Sequence, residues 1–143
     1  MKLGSILKLK GYTAFELQQL NNGHRVIELP VNGRDGRFIV DTGATHNVIA
    51  KDDCSFFKVL TWGDVNTEGV SSDQLSKRSF KNSITLGRHR VDEVEFIVTD
   101  LRKVNRALEK SEDGEINGII GMQLLVQTNA VVDCANGILY IKK

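Results

Sequence analysis

The stretch Phe38-Ile39-Val40-Asp41-Thr42-Gly43-Ala44-Thr45 decides how this chain can fold. Three apolar residues lead into an Asp-Thr-Gly, and a second apolar pair follows at residues 48–49. The pattern predicts a buried strand that delivers the Asp41 carboxylate onto a tight turn. Because Gly43 has no Cβ, backbone N–H groups can approach that carboxylate closely. A positioned carboxylate at a dry, rigid strand end is typical of a catalytic site. An Asp-Thr-Gly also arises by chance in about one chain of this length in forty, so the flanking sequence must support it.

The sequence on both sides of this stretch predicts a mainly β protein. Thirteen Gly against one Pro indicate many tight turns. Alternating apolar residues over 27–31 are typical of a half-buried strand, and Asn32-Gly33 and Asp35-Gly36 are expected to close a hairpin into the next strand. Further strands are predicted over 62–70, 80–86, 91–98, 116–121, 130–133 and 138–141.

Short helices are predicted between these strands. Apolar residues at helical spacing indicate helices over 3–10 and 100–110, and 122–126 is a third candidate. Thr99 or Asp100 is expected to cap the second helix. Its apolar stripe is expected to pack in the core rather than to bind a partner, and consists of Leu101, Val104 and Leu108.

Length and charge favour a single domain without a nucleic-acid or membrane partner. The 143 residues fit one domain, with 1–23 as an N-terminal extension and 24–143 as its core. The formal net charge is +1, and no run of five like charges would recruit nucleic acid or an anionic membrane. Apolar residues at 3–7 are too few for a signal-peptide core, so a cytoplasmic location is expected.

Cysteine and histidine positions predict neither a metal site nor a cofactor. Cys54 and Cys134 match no zinc spacing; a disulfide between them stays open, but two unpaired thiols in a reducing compartment are favoured. His24, His46 and His89 are scattered and are interpreted as surface residues.

The order of motifs resembles that of the single-domain, retroviral-type aspartic proteases (retropepsins), and most closely that of their bacterial members. The match spans roughly residues 24–143, and the opening residues 7–12 and 23–24 are also similar to those members. Four places carry the resemblance: Phe38–Ala44 as the active-site loop, Glu68–Asp73 as a weaker flap, Ile119-Ile120-Gly121 as the later apolar strand, and Val131–Asp133 with Asn136–Tyr140 as the terminal strand pair.

The resemblance implies a fold, an activity and a set of site residues. The fold would be a mainly β acid-protease barrel with two or three short helices, active as a symmetric homodimer that cleaves extended peptide or protein substrates. Asp41 would be catalytic, with Thr42, Gly43 and Ala44 forming the active-site loop. The flap would consist of Glu68, Gly69, Val70, Ser71 and Ser72.

The number of catalytic motifs fixes the assembly that this interpretation needs. Aspartic proteolysis uses two facing carboxylates, yet Asp-Thr-Gly occurs once, so a second copy of the chain must supply the other. Asp133 aligns with a family Asp that is not catalytic and is interpreted as structural. Two alternatives stay open: Asp41 as an ordinary buried Asp, and a dimeric peptide-binding module that kept the fold without turnover.

Overall fold

The computed structural model describes residues 1–66 and 75–142. Within them the helices are α1 (Leu3–Leu9), α2 (Arg102–Lys110) and α3 (Met122–Gln127), and a 3-10 turn covers Lys51–Asp53. None of these helices is long and apolar enough to cross a membrane. The strands are β1 (Thr13–Glu16), β2 (Gln18–Gln19), β3 (Arg25–Val31), β4 (Arg34–Val40), β5 (Val48–Ala50), β6 (Trp62–Asn66), β7 (Leu75–Leu86), β8 (His89–Thr99), β9 (Gly118–Ile120), β10 (Val131–Asp133) and β11 (Ile138–Ile141).

Six of these strands close into a barrel. The order is β3-β4-β9-β5-β8-β7, and the pairing of Val31 with Ile84 joins β7 back to β3. β2 and β6 extend the sheet beyond the ring, and a separate three-stranded sheet has the order β1-β11-β10. The predicted N-terminal extension therefore contributes β1 to the terminal sheet and β2 to the main one.

The strands around Asp41 are buried on both faces, which explains their unbroken apolar runs. Phe38 in β4 points into the barrel core, whereas the next residue, Ile39, packs in a second cluster with Leu101 and Leu108 beneath α2. A strand covered on both faces needs apolar residues at every position rather than at alternate ones. The ring of Phe38 lies 6.1 Å from Phe57 at the centre of the barrel.

Two local predictions need correction. The hairpin turn between β3 and β4 is Asn32-Gly33 alone, whereas Asp35-Gly36 lies within β4. A Cβ at Gly36 would come within 2.7 Å of the Phe57 ring, so this glycine is required for packing rather than for turning. In the predicted helical stripe, Leu101 and Leu108 are buried as predicted, but Val104 is 37% exposed and lies outside the core.

Other local predictions are confirmed with small shifts. α2 begins at Arg102 and its N-cap position is Leu101, one residue later than predicted, but the Asp100 carboxylate still accepts a hydrogen bond from the Arg102 backbone N–H at 3.0 Å. The hydrogen bonds from the Arg102 guanidinium, followed by this backbone bond, lower the pKa of Asp100 to about 2. The terminal strand pair forms as predicted, with Val131 opposite Tyr140. The predicted flap over 68–73 lies outside the described residues.

Candidate functional site

Asp41 stands at the end of β4, on a loop that returns to the barrel as β5. β9 lies between these two strands, parallel to β4 and antiparallel to β5. The Asp41 backbone N–H donates to the Ile120 carbonyl at 2.9 Å, so the last residue of β9 fixes the start of the loop. The Asp41 residue itself is only partly buried, and its neighbours Thr42 and Gly43 are exposed. The loop thus presents a carboxylate at the surface from a buried strand pair.

The turn orients one oxygen of this carboxylate. Gly43 N–H donates to Asp41 Oδ1 at 2.8 Å, and Ala44 N–H donates to the Asp41 carbonyl at 3.2 Å. A Cβ at position 43 would lie 3.1 Å from the same carboxylate oxygen, closer than most side chains tolerate. The sequence expectation that glycine here allows close backbone approach therefore matches the geometry.

The far side of the loop is fastened to the start of α3. Met122 N–H donates to the Ala44 carbonyl at 2.8 Å, and Gln123 N–H donates to the Thr45 carbonyl at 3.2 Å. Gly121 permits this contact, because a Cβ there would lie 2.3 Å from the His46 carbonyl oxygen. Gly121 therefore serves packing between the loop and the start of α3.

Asn47 anchors the end of the loop and was missed by the sequence reasoning. The residue is 1% exposed, and its Oδ1 accepts from Gly121 N–H at 3.0 Å. Its side-chain amide donates to the Glu95 carbonyl at 3.1 Å, and its own carbonyl accepts from Ile97 N–H at 2.8 Å. One buried amide thus connects the loop, β8 and the start of α3. The only sequence signal was a polar residue directly before an apolar strand, which is common in any turn.

A cavity of about 340 Å³ lies beside the loop. Val40 and Thr42 form its wall on the loop side, and Val132 and Asp133 of β10 form the opposite wall. Among the described strands, β10 has a neighbour on one side only, because it ends the β1-β11-β10 sheet. The Asp41 loop and an unpaired strand edge therefore border the same cavity.

Asp133 differs from Asp41 in its surroundings. Its carboxylate accepts from the Asn136 side chain at 2.9 Å and from the Asn136 backbone N–H at 3.1 Å. These bonds lower the pKa of Asp133 and close the turn before β11. The geometry fits the structural role that the sequence assigned to this residue.

The remaining candidates do not converge on a metal site. Within residues 1–66 and 75–142, no three His, Cys, Asp or Glu side chains are grouped as metal ligands. His89 Nε2 lies 2.9 Å from Thr13 Oγ1, and His46 lies on the active-site loop. Cys54 and Cys134 are both free thiols. The predicted flap residues Glu68, Gly69, Val70, Ser71 and Ser72 lie outside the described residues.

Comparison with known proteins places this geometry in a family. Residues 27–124 match the sequence profile of a family described as aspartyl protease. The chain belongs to the aspartyl protease family. The matched range includes the Asp41 loop, β9 and the first residues of α3, which are the elements that meet at the candidate site.

Solved structures of other aspartyl proteases establish the fold. A retropepsin-like aspartic protease from Rickettsia conorii aligns with a TM-score of 0.61 at 19% identity, covering 91% of this chain and 89% of that one. The EIAV protease, complexed with the inhibitor HBY-793, aligns with a TM-score of 0.56 at 13% identity, covering 77% of this chain and 92% of that one. No curated protein matches the sequence significantly. The predicted retropepsin-like fold is confirmed, while the roles of individual residues remain predictions.

Proposed function

We propose that this protein is an aspartic endopeptidase that acts as a symmetric homodimer on extended peptide segments. The observation that carries the proposal is the Asp41 carboxylate, held at a strand end by Gly43 N–H in a chain of the aspartyl protease family. A binding module would not need a carboxylate in this position.

The second carboxylate is proposed to be Asp41 of the partner subunit. Asp-Thr-Gly occurs once in the sequence, and the two other Asp-Gly pairs are used differently. Asp35 lies within β4, opposite Pro30. The Asp113 carboxylate already accepts hydrogen bonds from Ser111 Oγ and the Asn21 backbone N–H. It also lies far along the chain from the Asp41 loop. Neither is available as the partner of Asp41.

The cavity beside Thr42 supports a position for the second copy. An active pair requires the two Asp41 loops to face each other, so the two-fold axis would pass close to Thr42. The unpaired edge of β10 borders the same cavity and offers backbone groups that a symmetric copy can pair with. The exposed Thr42 hydroxyl would then reach the partner's backbone and lock the two loops.

The proposed reaction is hydrolysis by one activated water. The two adjacent carboxyls share one proton, because ionising both would place two negative charges side by side at a high cost in free energy. The ionised carboxylate takes a proton from the water, whose oxygen attacks the scissile carbonyl carbon. The protonated carboxyl donates to the carbonyl oxygen. The carboxyl that took the proton from water then gives it to the leaving nitrogen, the C–N bond breaks, and the hydroxyl formed from the carbonyl oxygen returns its proton to the other carboxylate as the C=O bond forms again. Residues 68–72 are proposed to cover the substrate, and no metal or cofactor takes part.

Free thiols support a reducing compartment for this activity. Cys54 is partly buried, and burial, followed by the nearby Asp53 and Asp52, raises the pKa of its thiol. A raised thiol pKa leaves less of the reactive thiolate at neutral pH. We therefore propose a cytoplasmic location.

Incubation of the purified protein with a denatured protein mixture, followed by mass spectrometry of the new termini, tests the activity. We expect cleavage within extended segments flanked by apolar side chains, with specific activity that rises with protein concentration until the dimer saturates. Mixing wild type with excess Asp41→Asn should inhibit by forming mixed dimers with one ionisable carboxyl. Peptide binding without any new termini would instead identify the dimeric binding module. Full activity in a species that sediments as a monomer would refute the shared site.

A further inference from the structure

We propose that α1 and the basic residues near its C-terminal end form a surface that binds an anionic membrane. We call it the α1 surface; it consists of Leu3, Ile6, Leu9, Lys8, Lys10, Arg88 and Lys142. The inference goes beyond the proposed proteolysis and does not depend on it.

The apolar half of the α1 surface is an unpartnered helix face. α1 contacts the body of the protein through Gly4, where a Cβ would lie 2.9 Å from the Tyr140 hydroxyl. Spaced three residues apart, Leu3, Ile6 and Leu9 follow one another along the helix and are 47%, 40% and 77% exposed. None of the residues Leu3–Leu9 is buried. Gly4 and Leu7 are the partly buried residues of the helix, so α1 packs by these two and leaves Leu3, Ile6 and Leu9 exposed to solvent.

The charged half begins on the helix itself. Residues 1–15 contain Lys2, Lys8 and Lys10 but neither Asp nor Glu. Lys8 lies in the last turn of α1 and Lys10 directly follows the helix. Basic side chains that flank an apolar helix face are the pattern of helices that lie in the headgroup region of a bilayer.

Tertiary contacts bring more cations to the same end of α1. Lys142 reaches the turn after the helix: its Cε would lie 3.6 Å from a Cβ at Gly11, and its Nζ stands 5.8 Å from the Tyr12 ring centroid. Thr13 opposes Ile141 across the strand pair and contacts His89 at 2.9 Å. The turn before β8 therefore lies beside the chain that leaves α1, with Arg88 exposed.

A cavity on this side is large enough for an anionic headgroup. It measures about 220 Å³. Three basic residues line it: His89, Arg90 and Lys142. The acidic member of its lining is Asp92, whose Oδ1 pairs with Arg90 Nε at 2.8 Å. That pair leaves the Lys142 charge without an acidic counterpart in the cavity lining.

Charge complementarity selects a membrane over a second copy of the chain. Every charged side chain in residues 1–15 is a lysine, so two α1 helices facing each other in either orientation would bring only like charges together, which repel. An anionic bilayer offers hydrocarbon to the three apolar side chains and phosphate groups to the cations around them. The net charge of +1 led us to expect no membrane contact. That total does not show that positive charges are concentrated around α1.

Vesicle sedimentation with the full chain tests the proposal. We expect binding to phosphatidylcholine–phosphatidylserine vesicles, weakening as salt is added, and no binding to phosphatidylcholine alone. Leu9→Ser should lower the bound partition coefficient about tenfold, since one leucine leaves the hydrocarbon. Lys8→Gln and Lys10→Gln should each lower it about fivefold. Matched controls are Leu60→Ser, where the leucine is 73% exposed elsewhere, and Lys51→Gln, at another exposed lysine.

The outcomes separate the membrane from the alternatives. Absence of binding to anionic vesicles, equal binding to neutral ones, or equal losses in the Leu60→Ser and Lys51→Gln controls would overturn the proposal. Sedimentation velocity without vesicles supplies the second measurement. If Leu9→Ser changes the oligomeric state there and leaves vesicle binding unchanged, the α1 surface is a contact between copies and the proposal is wrong.

Discussion

The Asp41 loop and helix α1 are both rich in apolar residues, yet the protein uses them in opposite ways. The strand before Asp41 is covered by the barrel core on one face and by the layer beneath α2 on the other. The loop after it is fastened by backbone bonds to β9 and α3. α1 has no buried residue and contacts the body through Gly4 and a bond from Tyr12 N–H to the Leu7 carbonyl.

The difference shows that burial depends on how many elements cover a segment, and not on its composition. A strand inside a closed barrel has neighbours on both edges and both faces, so each apolar side chain finds a partner. A two-turn helix at the periphery has one supporting face, and the rest of its apolar surface stays available for other partners. The predictions below test this contrast, beginning with the largest expected effect.

Asp41→Asn should lower kcat/KM by about 10³-fold or more, because it removes both proposed carboxylates of the dimer at once. The fold should persist, since the Asn side-chain oxygen can still accept from Gly43 N–H. Cleavage rate and free energy of unfolding should be measured on the same preparation. Asp35→Asn, which makes the same change at an exposed site in β4, is the control and should retain activity. Equal losses in the two variants would remove Asp41 from the catalytic role.

Gly121→Ala and Gly4→Ala compare the two regions directly. At position 121 the new Cβ would meet backbone oxygens at 2.3 and 2.8 Å, so the loop must shift. We expect Gly121→Ala to lower the free energy of unfolding by about 2 kcal/mol and to lower the cleavage activity as well. At position 4 the new Cβ meets the end of the Tyr140 side chain, and helix propensity improves by about 1 kcal/mol, which offsets the contact. Urea unfolding of both variants measures these changes. Equal losses in the free energy of unfolding for Gly121→Ala and Gly4→Ala would contradict the difference between the two regions.

Ala44→Ser should change the pH profile of cleavage. A serine hydroxyl at this position can donate toward the Asp41 carboxylate and favour its ionised form, so the shared proton would be lost at a lower pH. The variant should therefore lose activity near neutrality first, while its acidic limb stays in place. Wild type should be most active in mildly acidic solution and keep measurable activity near neutral pH. Superimposable profiles would refute the hydrogen-bond explanation without affecting Asp41.

Asp113→Asn should have the smallest effect, and one that depends on pH. The Ser111 hydroxyl, followed by the backbone N–H groups of Asn21 and Asn22, lowers the pKa of the Asp113 carboxyl. A lowered folded-state pKa stabilises the protein above the unfolded value of about 3.9, and that stabilisation is lost as the pH falls through the folded value. Wild type should therefore exceed the variant in stability at pH 6 and lose that advantage toward pH 3. A difference that is constant over this range would show that the charge plays no part.

Local chemistry made part of this protein predictable from its sequence. The apolar run into Asp-Thr-Gly, the Asn32-Gly33 turn with its positive φ angles and the strand pair around Asn136-Gly137 each depend on residues close in sequence. Their conformational preferences survive in the folded protein because no distant contact opposes them. The order of these segments was enough to predict the retropepsin-like fold.

Only the tertiary structure decided the contacts between distant segments. Asn47 looked like an ordinary turn residue, and its role depends on β8 and α3, which lie some 50 and 75 positions further along the chain. Gly36 looked like a turn residue, but the structure shows that a glycine is needed there because the Phe57 ring fills the space beside it. Val104 fits a helical stripe but lies beyond the edge of the core. The cavity between Thr42 and β10, and the cations gathered beside α1, likewise join segments that the sequence keeps apart. A sequence fixes the preferences of each segment, whereas burial and proximity depend on which other segments fold against it.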